Sequence, residues 1–590
     1  MVRPPRSLIS ALIFLPFLLL LIAYLVVREQ NITRPQQLAV TTSGMVEMCL
    51  NCHTKEKLDG AHDALVIGCS PCHLGDPLAI EKEKAHKGIV RNPGDLRYAP
   101  KTCGVEGCHP ADIHKVNNSL MATNRGILAT LLYYWGERDN QNAEISVEQL
   151  LKTGESSLAL DYYRKLCATC HLWKQKNDLP GAPAFFNDKG GGCSACHYIS
   201  PAEAPARSSV TDVQETAPVA GKDKPHPKVV KQIPEDNCIR CHNRSGRIGI
   251  SYTGIFEAEG YGTPYEKGQH SSQRLAGDRF YLKVAEDIHH TKKMACIDCH
   301  TRNEIMGDGN NYAHYEEQLE ITCRSCHDAQ PGLTSKQNKL NNVSKKDGQY
   351  VLTGKIDGKE RALRPPDEVA CGYPGHKRLS CSSCHSTWVP QCYGCHAKRD
   401  KREKHLDKLA LQETTGWWEE GRSYIRYEKP MLGVWGNQVV VVTPGCQDLV
   451  TLIDEKGEVE EGGFNRFTMA AINPHTIQAK GRGCKDCHTS PKTVGLGEGT
   501  VVKKDGKWQF VPVDRGVQTA NGRTVGFDNF VTIEGTALQH GSRKDLRPFN
   551  GEELQRILRV GLCLECHSRA ADPAYKEYDW KRPCPVYQEP

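Results

Sequence analysis

The pentapeptide Cys-x-x-Cys-His occurs eleven times in this chain, and a Cys-x4-Cys-His variant occurs once; together they take 24 of the 27 cysteines. With 27 cysteines and 24 histidines in 590 residues, random order would supply about 0.05 copies of the pentapeptide. The pattern therefore serves covalent chemistry. Two thiols separated by two residues can each add to one vinyl group of the same porphyrin, while the adjacent imidazole binds its iron from below. Half a zinc site or a redox disulfide also uses Cys-x-x-Cys, but neither needs a histidine after every pair. The expected cofactor is haem c, about 12 copies, each fixed by its own short segment.

The expected attachment cysteines and proximal histidines, in chain order, are Cys49, Cys52 and His53; Cys69, Cys72 and His73; Cys103, Cys108 and His109; Cys167, Cys170 and His171; Cys193, Cys196 and His197; and Cys238, Cys241 and His242. The second half continues with Cys296, Cys299 and His300; Cys323, Cys326 and His327; Cys381, Cys384 and His385; Cys392, Cys395 and His396; Cys484, Cys487 and His488; and Cys563, Cys566 and His567. Residues 103–109, CGVEGCH, form the variant. Their loop is similar to the longer one that class III cytochromes use for some haems; the other reading is a disulfide beside an unrelated histidine. In CSSCHSTWVPQCYGCH two motifs start 11 residues apart, which predicts neighbouring haems.

Twelve histidines lie outside the motifs: His62, His86, His114, His226, His270, His289, His290, His314, His376, His405, His475 and His540. One spare imidazole per motif is what full bis-histidine ligation needs, so these are the candidate distal ligands. A lone histidine taken by itself is as often a surface or satisfied core residue. His226 stands between two prolines, and the adjacent His289 and His290 could face opposite ways and serve two irons. The eight methionines show no fixed offset from the motifs. No catalytic residue is singled out. Cys371, Cys446 and Cys584 are left over; in an oxidising compartment two of them could pair, and Cys371 stands five residues before His376.

Arg3 and Arg6 precede 20 mostly apolar residues, Leu8–Val27, and Arg28 follows. That run predicts an uncleaved signal anchor over 1–30, crossing the inner membrane with the haem-bearing bulk in the periplasm. The alternative is a cleaved signal and a secreted or outer-membrane protein. About 560 residues then serve twelve haems, fewer than fifty each, so porphyrins would supply much of the core and the apoprotein would be largely unfolded.

With 53 glycines and 33 prolines, the expected fold class is a multihaem cytochrome c: loop-rich, mainly short α-helices around a haem chain, with β-hairpin inserts toward the C-terminus and an N-terminal transmembrane helix. Residues 45–200 carry five motifs and helical stretches near 119–136 and 146–166. Residues 201–236 read as a Pro/Ala-rich linker, and 237–405 carry five more motifs. Residues 406–590 hold two motifs among strand signals such as NQVVVVT and TVVKKDGKWQFVPV; QYVLTGKIDGKERAL is a similar insert before the ninth motif. The strands read as a cover for the haems or as a docking surface.

The formal charge of +6 belongs to the polypeptide alone. Each oxidised bis-histidine haem with two propionates adds about one negative charge, which removes the case for nucleic acid. Segments such as EDIHHTKKMACIDCHTRNEIMGDG and NPHTIQAKGRGCKDCH resemble the large dodecahaem cytochromes of metal-reducing and related anaerobic bacteria. The resemblance implies respiratory electron transfer: from a quinol-oxidising membrane complex, or other cytochromes, to periplasmic or outer-membrane acceptors, with no substrate chemistry. The competing class is an enzyme in which one open iron acts on nitrite, hydroxylamine or tetrathionate, but no Cys-x-x-Cys-Lys occurs and spare histidines equal motifs. A filament subunit would need a cleaved leader, which the anchor argues against.

Overall fold

The computed structural model describes residues 16–26, 37–53, 60–142, 144–182, 184–199, 226–243, 249–258, 273–275, 279–367, 371–460, 462–505, 507–513, 516–518, 524–567 and 572–575. His270, Cys584 and residues 201–225 of the expected linker lie outside them. The chain divides into two compact units, Met1–Arg91 and Asn92–Pro590.

The first unit is a run of single helical turns, among them Met48–Asn51, Ala64–Ile67, Ser70–His73 and Lys82–Ala85. Asp63 caps the second of these by accepting the Leu65 amide at 2.8 Å. Its described buried apolar residues are only Met48, Ala64 and Val90, while Leu65, Leu78, Ile80 and Ile89 stay exposed. What ties its two motifs together is polar. The fully buried Glu47 accepts the Cys69 amide, the Ser70 amide and the Ser70 hydroxyl, each at 2.9 Å.

The expected anchor is the first correction. Among the described residues it is a helix over 16–26. At about 1.5 Å per residue this covers about half of a 30 Å hydrocarbon layer. No helix among the described residues is long and apolar enough to cross a membrane. Residues 8–15 and 27 of the expected span lie outside the described residues.

The second correction concerns class. The second unit is built on a seven-stranded mixed sheet, not on short helices with peripheral hairpins. Its strands are β1 Val389–Asp407, β2 Gln412–Glu428, β3 Met431–Trp435, β4 Gln438–Ile453, β5 Phe464–Ala471, β6 His540–Gly541 and β7 Leu546–Arg547. The hydrogen-bonded order is β2-β1-β4-β3-β7, with β5 joined to both β4 and β6. β1 and β2 run 19 and 17 residues as one antiparallel hairpin. β4 lies parallel to β1, with Asp448 opposite Cys395, and antiparallel to β3, with Val442 opposite Met431. Its pairing with β5 shifts between Pro444 and Gln447, where a residue without an N–H interrupts the ladder.

The sheet displaces the helical expectation because its apolar positions find partners. Val434, Val439 and Val441 of β3 and β4 are buried with Leu496, Val531, Phe549 and Leu554. The far end of the β1–β2 hairpin is pinned to the helical region. Arg164 Nε donates to Asp407 Oδ2 at 2.6 Å, and the fully buried Lys165 ammonium donates to the Thr415 and Gly416 carbonyls at 2.6 and 2.8 Å.

Helices fill the rest in short pieces. The stretch 119–136 is two helices, Leu120–Thr123 and Arg125–Tyr134, broken at Asn124, whose φ of 50° is left-handed. The stretch 146–166 gives Val147–Thr153 and Leu158–Tyr162 with Gly154 at φ 68° between them. Leu128, Leu132, Leu150, Leu160, Tyr163, Trp135 and Trp418 form one cluster there. The last helix, Gly551–Cys563, opens on an Asn550/Glu553 capping box and carries the first cysteine of the final motif. Smaller antiparallel sheets occur at 343–362, from the insert read before the ninth motif, and as the hairpin Gly499–Lys504/Lys507–Pro512.

Candidate functional site

Most of the motifs share one backbone device. The histidine N–H donates to the carbonyl of the first cysteine in nine of them: His53, His73, His109, His197, His242, His300, His327, His488 and His567, at 2.7–3.0 Å. One closed turn therefore sends both thiols and the ring to one side. The variant obeys the same rule, because the His109 amide reaches the Cys103 carbonyl at 2.9 Å across its two extra residues. Cys381–His385 is a short helix capped by Ser380. The fourth motif follows a π-helical turn, Tyr163–Cys167.

The tenth motif is the exception. Cys392–His396 lies inside β1. Gly394, at φ 59°, adopts the left-handed conformation that lets a strand swivel, and Cys392 and Cys395 both line the cavity described next. His396 is exposed, and its Nε2 lies 3.0 Å from the Ser423 hydroxyl on β2.

The second unit holds a cavity of about 3360 Å³ that is partly open to solvent. It is lined by cysteines and histidines of the fourth, sixth, seventh, eighth, ninth and eleventh motifs, by Cys196, and by His289, His376 and His475 from outside the motifs. The mutual influence of neighbouring thiols orders the motifs in space. Cys103 is hydrogen-bonded to Cys193, Cys170 to Cys241, Cys238 to Cys296, and Cys323 to Cys381. Cys196 lies within electrostatic reach of Cys238, Cys299 of Cys326, and Cys384 of Cys487. The series is third, fifth, sixth, seventh, eighth, ninth, eleventh, with the fourth branching at the sixth. The last helix then brings the twelfth beside the eleventh, since the Ile557 carbonyl meets His488 Nδ1 at 2.8 Å. In the first unit, Cys49 and Cys69 are likewise within electrostatic reach of one another.

Those contacts divide each hydrogen-bonded thiol pair into unequal members. The Cys241 S–H holds Cys170 down to about 5, and the Cys323 S–H holds Cys381 down to about 6, while their partners are pushed up. Burial, followed by the Glu47 carboxylate, pushes Cys49 up to about 12. The lowered members have the greater thiolate character, the form that reacts with an electrophile.

The histidines give the most informative geometry. His53 and His86 have ring centroids 6.1 Å apart; the separations are 6.1 Å for His327 and His289, 6.2 Å for His300 and His475, and 6.0 Å for His488 and His376. Two imidazoles bound through nitrogen at about 2.0–2.1 Å on opposite sides of one metal ion have centroids about 6 Å apart. Each pair joins a motif histidine to one from outside the motifs.

Ring orientation is fixed from behind. Nδ1 lies on a backbone carbonyl for His73 (Val90), His197 (Val230), His327 (Arg364), His385 (Gln478), His475 (Asn473) and His488 (Ile557), at 2.7–3.0 Å. It lies on a carboxylate for His289 (Asp287, 2.8 Å), His290 (Glu286, 2.8 Å) and His300 (Glu304, 2.9 Å). Such a contact makes Nδ1 the donor and leaves the Nε2 lone pair for a metal. His171 is the buried exception. Both its nitrogens lack hydrogen-bond partners, and burial, with Lys174 and Arg97 nearby, pushes it down to about 3.

The remaining candidate distal histidines are dispersed. His114 contacts Asn118 one turn along its own helix. His314 is buried, with Nε2 3.2 Å from Asn142 Oδ1 and Nδ1 without a partner. His405 stacks on Trp417 at 4.4 Å and accepts the Trp418 amide. His226 Nδ1 lies on the Pro227 carbonyl at 2.7 Å, His62 ends a single turn in the first unit, and His540 lies in β6. His290 packs edge-on to Tyr252 and its Nε2 is 3.9 Å from Glu235. Cys446 lines the cavity within electrostatic reach of Cys395, and Cys371 is near Cys384.

The reading of the sequence passed over Asp287, Glu286 and Glu304. A carboxylate two or four residues before a histidine, or four after one, was the available signal, in EDIHH and CHTRNE. Among the described residues no three or more His, Cys, Asp or Glu side chains converge as a self-contained metal site. No family model, curated protein or solved structure matches this chain.

Proposed function

We propose that this chain is an exported electron-transfer protein that carries covalently bound haem c at its Cys-x-x-Cys-His segments. The observation that carries the reading is the set of four ring pairs at 6.0–6.2 Å, each made of one motif histidine and one histidine from elsewhere. In each pair the two imidazoles would take both axial positions of one iron. The cysteines would form thioethers, and the carbonyls and carboxylates behind Nδ1 would hold the rings in place. Haem supplies one-electron chemistry there. The protein's part is to space the centres: with the cysteines of successive motifs within electrostatic reach of one another along most of the cavity, an electron can cross the unit without movement of the chain.

The donor in this reading is a quinol-oxidising membrane complex or another cytochrome, and the acceptor is a periplasmic or outer-membrane carrier. Export fits the chemistry, because thioether formation at this number of cysteines belongs to a compartment outside the cytoplasm. The test is low-temperature EPR of the oxidised protein with covalent haem quantified in the same sample. Low-spin iron equal to about twelve haems per chain is expected. Absence of covalent haem from protein made by a strain competent for cytochrome c maturation would overturn the reading.

A second reading makes the chain an enzyme. In it an iron with one open position would act on a small inorganic substrate. A stoichiometric high-spin signal that shifts on adding nitrite or hydroxylamine would select it.

A further inference from the structure

Two of the four ring pairs differ from the others in what stands behind them. His300 Nδ1 donates to Glu304 Oε2 at 2.9 Å, and His289 Nδ1 donates to Asp287 Oδ1 at 2.8 Å. Both carboxylates are shut off from water, with side chains 1% and 2% exposed. Each is also held rigidly. Glu304 accepts the amides of Thr301, Glu320 and Ile321, and Asp287 accepts those of His289 and Ile477. By contrast, His488 in the third pair of this unit is backed by the neutral Ile557 carbonyl. The two carboxylate-backed pairs belong to the seventh and eighth motifs, which are adjacent through Cys299 and Cys326.

We propose, building on the haem reading above, that Glu304 and Asp287 are positioning residues that make the seventh and eighth centres a low-potential pair in the interior of the series. A carboxylate accepting from Nδ1 draws the imidazole toward imidazolate and raises its basicity at Nε2. A more basic axial ligand and a fixed buried negative charge both favour Fe(III) over Fe(II), so the one-electron reduction is disfavoured relative to a carbonyl-backed centre. The step itself adds one electron to one iron and breaks no bond. Sulfur contacts link this pair to the sixth motif on one side, through Cys238 and Cys296, and to the ninth on the other, through Cys323 and Cys381. Electrons crossing the unit must therefore rise through it.

The test is a dithionite titration of the haem-loaded protein, followed by visible absorption and by EPR, for the unsubstituted chain and for Glu304→Gln. The substitution keeps the side-chain shape and removes the charge. One component of the titration should move to higher potential by about tenfold in its one-electron equilibrium, about 59 mV, with covalent haem content unchanged. A superimposable titration at full haem content overturns the proposal. If Glu304→Gln does not accumulate with its haems, the unsubstituted protein decides. The low-spin signals reduced last should carry the g-value shift of imidazolate character, and their absence from that final step also overturns the proposal. Absence of haem from the unsubstituted protein is a different result and removes the underlying reading instead.

Discussion

The two units of this chain carry the same pentapeptide and are held together by different means. The first has two motifs, three described buried apolar residues and a buried glutamate that bridges the motifs. The second has a seven-stranded sheet, an aromatic cluster in which Trp135, Tyr162 and Trp418 have centroids 4.9–5.8 Å apart, and several separate apolar cores. The described residues of the first unit bury little apolar surface to set against chain entropy. The second unit has a polypeptide core of its own. Unfolding without cofactor is the expectation for the whole chain from its motif density; the two units differ in how much apolar polypeptide surface their described residues bury.

On the haem reading, removing the attachment cysteines should separate the two units most sharply. With Cys49→Ala and Cys52→Ala combined, the first unit should lose its fold, read as new protease cleavage before Arg91, while the melting of the second unit stays where it was. Cleavage spread equally over both units would erase the contrast. In the second unit, Trp418→Ala removes a side chain that is 2% exposed at the centre of the aromatic cluster and should cost about 3–5 kcal/mol by denaturant titration. An intact midpoint would mean that the cavity, not the sheet, governs stability there.

Asp448 on β4 sharpens the same point through pH. Burial pushes its carboxyl up to about 6, against the hydrogen bond that Trp135 Nε1 donates at 2.9 Å. A carboxyl with a raised folded-state value stabilises most fully below its unfolded value near 3.8, and that stability is lost as pH rises through about 6. The loss is about 3 kcal/mol at about 1.4 kcal/mol per unit. Asp448→Asn should therefore raise the melting temperature at pH 7.5 and flatten the pH profile between 4 and 6; an unchanged profile would place the titration elsewhere.

Glu47 in the first unit has the opposite sign. Burial raises it, but hydrogen bonds from Cys49, Ser70 and Cys69 outweigh that and leave it lowered, so its stabilisation is lost as pH falls through the folded-state value. Glu47→Gln should cost about 1.5–3 kcal/mol, the worth of hydrogen bonds to a charged group. The reading is the unfolding of the first unit alone; no change would mean that its motifs are held by their own turns.

The turn that nine motifs share was legible because it is local. Five to seven residues determine whether the histidine amide reaches the first cysteine's carbonyl, and the sequence contains all of them. The equal count of spare histidines gave the candidate partners. Which imidazole meets which was not legible, since His300 and His475 are 175 residues apart and only the folded sheet and loops bring them together. The tenth motif shows the reverse. CYGCH reads like its neighbours, yet long-range pairing with 421–425 on β2 extends it, Tyr393 facing Tyr424 and Cys392 facing Ile425. The N-terminal apolar run was legible as composition, and its described part is a helix over 16–26 only.

By itself, then, the sequence determined the number and spacing of the Cys-x-x-Cys-His segments and the closed turn that nine of the twelve share, because those depend on neighbours a few residues away. The tertiary structure decided the sheet, the spatial order of the motifs, the histidine pairs and the carboxylates behind them. These depend on burial and pairing between segments that can lie more than a hundred residues apart, where a single sequence records the partners but not the contact.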